Sequence, residues 1–126
     1  MNNGKEEFLF KETTEKIIKC FYKVFDELGS GFLESIYERA LLIELKACGL
    51  NAESQVPLKV KYKGAVIGEF KADIVVDNKV IIEIKAVSSI ANEHEAQLIN
   101  YLRATGIRIG LLVNFGDKIE FLRRIY

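Results

Sequence analysis

Asp73, Glu83 and Lys85 lie in the stretch Asp73-Ile-Val-Val-Asp-Asn-Lys-Val-Ile-Ile-Glu83-Ile-Lys85. Side chains on a strand alternate between its two faces. Glu83 and Lys85 therefore share one face, and Ile82 and Ile84 share the other. A hairpin whose loop is Asp77-Asn78-Lys79 pairs Val76 with Val80, and counting outward sets Asp73 opposite Glu83. Asn suits the left-handed conformation that such a loop needs. Two carboxylates facing each other across neighbouring strands repel. Three things relieve that repulsion: a hard cation between them, a proton on one of them, or the charge of Lys85. Mg²⁺ is the natural cation, because it takes a few carboxylate oxygens together with waters and phosphate.

The elements that must position this group follow from periodicity. Ile17, Ile18, Phe21, Val24, Phe25 and Leu28 recur at helical steps, and Gly29 ends that helix. A second helix is expected from about Leu33 to Cys48, with Ile36, Ala40, Ile43 and Ala47 as its apolar stripe. Strands are expected at Val56–Tyr62 and Ala65–Val76, joined near Lys63-Gly64, with Pro57 placing the first at a sheet edge. Val80–Val87 reads as a strongly apolar strand. Asn92 opens a helix, with Glu95 completing a capping box, and Gly106 closes it. Ile109–Val113 and Ile119–Ile125 read as two more strands. The expectation is an α/β (α+β) fold: one domain over residues 1–126, with a central mixed sheet flanked by helices.

Asp73 followed by Glu83-Ile-Lys85 resembles the signature of the PD-(D/E)XK nucleases, although Ala72 stands where the superfamily's name has Pro. Gly31-Phe-Leu-Glu34-Ser-Ile-Tyr37 resembles the Gly-x-x-Glu-x-x-Tyr motif of a bacterial family within that superfamily. Gln97-Leu-Ile-Asn-Tyr101 resembles the Gln-x-x-x-Tyr motif of RecB-type nucleases. Four elements in this order are more specific than any one of them.

The resemblance implies a restriction-endonuclease-like core and phosphodiester hydrolysis with Mg²⁺ or Mn²⁺. By it, Asp73, Glu83 and the backbone carbonyl of Ile84 are metal ligands, with Glu34 as a third carboxylate. Lys85 orients or deprotonates the attacking water, or stabilises charge on the phosphate. Gln97 and Tyr101, four apart on one helix face, hold Lys85 or the substrate backbone. His94 shares that face, and with Tyr37 it joins the group expected to position substrate.

Each of these residues also has a plainer reading. If Gly31 caps the second helix, Glu34 sits at its third position, where a carboxylate meets free N–H groups and the positive dipole end. Lys85 is then a counter-ion, Gln97 an exposed helix residue and Tyr101 a core aromatic. His94, the single histidine, is a hydrogen-bonded helix residue, and the lack of a second histidine weighs against zinc. Lys59, Lys61 and Lys63 either track a phosphate backbone or form a solvated edge that discourages strand pairing.

Composition bounds the partners. The chain has 126 residues, 49% of them hydrophobic, with 18 basic and 18 acidic side chains that cancel. That balance weighs against strong binding of nucleic acid, which usually shows as a basic excess. Nucleic acid remains the expected partner, DNA ahead of RNA, with a homo-oligomer or an accessory role expected for the protein. Cys20 and Cys48 read as buried free thiols, which suits a reducing cytoplasm. The polar start is not a signal peptide, and no apolar run approaches the roughly 18 residues that span a bilayer. The rival function is a catalytically silent nuclease-fold binding module acting as a homodimer.

Overall fold

The computed structural model describes residues 3–126, with side chains from residue 10 onward. Helix α1 (Asn3–Leu28) buries Ile17, Phe21 and Val24, and Ile18, Phe25 and Leu28 flank them half-buried. Gly29, at φ 67°, ends the helix in the left-handed conformation as its N–H donates to the Phe25 carbonyl at 2.8 Å. Helix α2 (Glu34–Ala47) is anchored by Tyr37, Leu41 and Leu45, which are buried. The expected stripe is therefore wrong by one position. Ile36, Ile43 and Ala47 are exposed, and Ala40 is half-buried at the margin of the core. Both stripes have helical spacing, so periodicity alone does not choose between them.

Five strands follow: β1 (Ala52–Tyr62), β2 (Ala65–Val76), β3 (Val80–Lys85), β4 (Ile109–Phe115) and β5 (Ile119–Ile125). They form one mixed sheet in the order β1-β2-β3-β4-β5, with β3 and β4 parallel and the other neighbours antiparallel. β1 starts four residues before its expected start, and β4 runs two residues longer than expected. Helix α3 (Asn92–Thr105) makes the crossover between the parallel pair and closes at Gly106, φ 78°. Those two central strands are buried almost throughout, as their continuous apolar runs require. One face of the sheet packs on α1 and α2 through Ile74, Val76, Ile82, Ile84, Leu111 and Val113. The other face meets Leu98 and Leu102 of α3 through Val75, Ile81 and Leu112. Among the described residues no helix is long and apolar enough to cross a membrane.

Two local expectations fail. The N-cap of α3 is Ala91, and His94, not Glu95, reaches back: its Nδ1 accepts the Ala91 N–H at 3.1 Å. Glu95 instead takes a 2.7 Å ion pair from Arg124 of β5, which holds its carboxyl below the usual range. The thiols also differ from expectation: Cys20 is buried, but Cys48 is half-exposed at the end of α2. Their Sγ atoms stand 3.8 Å apart, and burial first, then Cys48, pushes the Cys20 thiol up to about 12.

Close approach of α3 to the sheet depends on Gly110. A Cβ there would lie 2.7 Å from Leu98 Cδ1. Gly110→Ala is expected to cost roughly 1–3 kcal/mol, as overpacking does. Urea unfolding checks it, and unchanged stability would mean that α3 does not sit that close.

Candidate active site

The Asp77-Asn78-Lys79 loop forms as expected, with Asp77 and Asn78 at φ 53° and 55°. Val76 pairs with Val80, then Val75 with Ile81 and Ile74 with Ile82. The ladder stops there, and the next rung is made by side chains. The Asp73 N–H donates to Glu83 Oε2 at 3.0 Å, and the Ile84 N–H donates to Asp73 Oδ2 at 2.8 Å. Each carboxylate thus spends one oxygen on the opposite strand's backbone. β2 leaves β3 at this point but stays paired with β1.

Burial raises the electrostatic stakes. Glu83 is only 7% exposed. Burial first, then the Asp73 carboxylate, pushes its carboxyl up to about 8, against the Asp73 N–H and the charge of Lys85. Asp73 is also raised, mainly by burial and further by Glu34, while the Ile84 N–H, Lys85 and Gln55 oppose. Lys85, half-buried on the Glu83 side of β3, thus acts electrostatically on both carboxylates.

The flanking motifs arrive unequally. Gln97 is exposed on α3, and the Tyr101 hydroxyl is raised by burial and by the charges of Glu83 and Asp73, with Gln97 opposing. The Tyr101 ring stacks on Phe70 of β2, centroids 3.5 Å apart, which brings α3 against the forked ribbon. Glu34 is exposed and is the first residue of α2, after an extended N-cap Leu33, not its third. It reaches Asp73 only as a nearby charge. Among the described residues no three acidic, His or Cys groups lie close enough together to hold a metal. Glu34 thus stands apart from the Asp73–Glu83 pair, the two carboxylates that the hydrogen bonds bring face to face.

Tyr37 is fully buried. Its ring stacks on Phe115 at 4.4 Å, and its hydroxyl donates to the Gly29 carbonyl at 2.6 Å while accepting the Phe32 N–H at 3.3 Å. It fixes the loop that delivers Glu34. His94 is half-buried and committed through Nδ1 to the start of α3. After Lys85, the chain is pinned by the fully buried Asn114. Its amide accepts the Val87 N–H and donates to the Val87 carbonyl, both at 2.9 Å.

Two site residues escape the sequence reading. Glu38 is half-buried, and its charge is felt by Glu83. Its own carboxyl is raised by burial and by Asp73. Gln55 of β1 donates to Glu38 Oε1 at 2.8 Å and lies close enough to Asp73 to favour its charged form. The four-residue step from Glu34 to Glu38 was the available signal for the first, since it puts both on one helix face. Gln55 had none, because its place depends on the register of β1.

The sequence model of the PD-(D/E)XK nuclease superfamily matches residues 11–125. The chain belongs to this superfamily. Its mixed sheet flanked by helices is consistent with the restriction-endonuclease-like fold. A solved structure described as "Crystal structure of SSO0001" is similar to this PD-(D/E)XK chain at TM-score 0.59 and 26% identity. The match covers 92% of this chain and 59% of that one. No curated protein matches it.

The raised Glu83 carboxyl of this PD-(D/E)XK site fixes the sign of a pH effect. The folded state holds a proton up to about pH 8, whereas the free group releases it near 4.5. The Glu83 contribution to stability without divalent ions is thus fully present below 4.5 and is lost as pH rises through about 8, by at most about 1.4 kcal/mol per unit. Asp73 adds in the same direction. Glu83→Gln is expected to flatten this decline. Urea unfolding in EDTA at several pH values measures it, and parallel profiles would contradict it.

Proposed function

We propose that the chain is a metal-dependent nuclease that hydrolyses phosphodiester bonds of nucleic acid, DNA ahead of RNA. We further assign it to the Gly-x-x-Glu-x-x-Tyr family, on Gly31, Glu34 and Tyr37. The observation that carries the reading is the forked pair of carboxylates, both driven toward protonation by burial and proximity, beside Lys85. That donor set suits a hard divalent cation, Mg²⁺ or Mn²⁺, which prefers oxygen ligands and retains several waters. Asp73, Glu83 and the Ile84 carbonyl are the ligands in this reading, with Glu34 contributing charge from the end of α2.

When bound, such an ion polarises the phosphoryl oxygen and lowers the pKa of water. The chain's own groups supply the rest. Lys85 lies on the Glu83 side of the strand, so its ammonium is set to orient the attacking water or meet charge growing on the phosphate. Gln97 and Tyr101 share one face of α3, with Tyr101 near the acidic groups, and in this reading they hold Lys85 or the substrate backbone. His94 and Tyr37 act further out, by fixing the start of α3 and the loop before α2.

A second reading, a silent homodimeric module, is favoured by the exposed apolar residues Ile36 and Ile43 on α2 and Leu33 just before it. One experiment separates the two: cleavage of single- and double-stranded DNA and RNA with Mg²⁺ or Mn²⁺, with Asp73→Ala and Lys85→Ala alongside. Loss of several kcal/mol of charge stabilisation is expected to lower the rate about 100-fold or more in each variant. No cleavage by the wild type with any substrate, together with a dimeric mass in solution, would favour the module. Cleavage undiminished in both variants would sink the nuclease assignment.

A further inference from the structure

Among the described residues, four other than glycine have positive φ: Gln55, Lys63, Asp77 and Asn78. The last three lie in the hairpin turns, where that conformation is ordinary. Gln55, at φ 52°, lies within strand β1. A left-handed residue in a strand is disfavoured and persists only where its surroundings impose it.

The consequence is visible in the packing. Ala52 and Ile74 belong to the core under α1 and α2, whereas Val56, Leu58 and Ala72 pack on the α3 side. Residues two apart on a regular strand share a face, so both strands of the ribbon change faces here. The pairs Ser54–Ile74 and Val56–Ala72 bracket the crossing, which sets Gln55 across from Asp73. From there its amide donates to Glu38 of α2 at 2.8 Å, and it favours the charged form of Asp73 on the neighbouring strand. An uncharged amide is well suited to this place, since it donates to carboxylates that otherwise repel.

We propose that Gln55 is a positioning residue for the acidic site, holding Glu38 of α2 in fixed relation to the Asp73–Glu83 pair. The proposal rests on the metal-dependent reading and extends it. Gln55 and Glu38 stand as outer partners of the ion-binding carboxylates, on which groups of this kind typically exert a 10- to 100-fold effect.

Calorimetric titration with Mn²⁺, alongside thermal unfolding, tests it. The samples are the wild type, Gln55→Gly, Glu38→Gln, their double variant and Asp73→Ala. Glycine accepts the left-handed backbone without strain, so Gln55→Gly is expected to match or exceed the wild-type melting temperature. Its Mn²⁺ affinity is expected to fall at least about 10-fold. Glu38→Gln should lower affinity similarly, and the double variant should lose little more than either single, because the two act as one unit. Wild-type affinity in Gln55→Gly overturns the proposal while leaving the metal site standing. Affinities that fall only in step with melting temperature overturn it too, as a purely structural role. A wild type that binds no Mn²⁺, or an Asp73→Ala that binds it as tightly, removes the metal-dependent reading and this proposal with it.

Discussion

The arrangement depends on one exchange of hydrogen bonds, in which Asp73 and Glu83 each accept an N–H from the other's strand. A regular antiparallel rung would use carbonyls for this and leave the two side chains directly opposed. Replacing the carbonyls with carboxylates lets β2 separate from β3 without orphaning either donor. The same bonds partly stabilise the charged forms, yet burial outweighs them and both carboxyls remain raised. Glu83 therefore stands in an environment that favours a proton or another positive partner.

Separation of the strands at this point determines what surrounds the pair. β2 has 12 residues but pairs with β3 only from Ile74 to Val76, so most of the β1–β2 ribbon continues past the sheet. The ribbon folds toward α3, where Phe70 stacks on Tyr101 and Val56 and Leu58 pack near Leu98 and Leu102. On the other side, the buried Tyr37 anchors the loop before α2 and so sets where Glu34 and Glu38 begin. Asn114 holds the exit from β3. The acidic pair is thus enclosed by three independently fixed pieces, each tied by contacts that do not involve the pair.

What the sequence disclosed divides along the same line. Element order and the Asp77–Lys79 loop were legible, because strand alternation and loop length together determine which residues oppose each other. The two helical ends were less so. Glu95 follows Asn92 by three, as a capping box requires, yet Arg124, 29 residues away, takes its carboxylate and His94 accepts the N–H instead. On α2, Ile36 and Ile43 have the same helical spacing as Tyr37, Leu41 and Leu45, and only the packing against α1 and the sheet chooses the buried face. Gln55 was beyond reach for a stricter reason. Its left-handed backbone contradicts local preference and is sustained by tertiary partners. Places where local rules fail in this way tend to be functional or strained.

A chain shaped for stability alone would not keep this site. Glu83 lies in the middle of the sheet between Ile82 and Ile84, which are buried, and an apolar residue in its place would remove a desolvation cost that no single neighbour offsets. Lys85 reduces that cost but does not cancel it, since Glu83 remains raised with Lys85 present. Zero net charge adds a further constraint. Without a long-range positive field, a polyanion gains little from the molecule as a whole, and attraction must arise close to the site. A divalent ion held by two carboxylates would supply such local positive charge, whereas the same carboxylates without it would repel phosphate. The feature that makes the fold locally unfavourable and the feature that would let a neutral protein engage a phosphodiester are then the same pair of side chains.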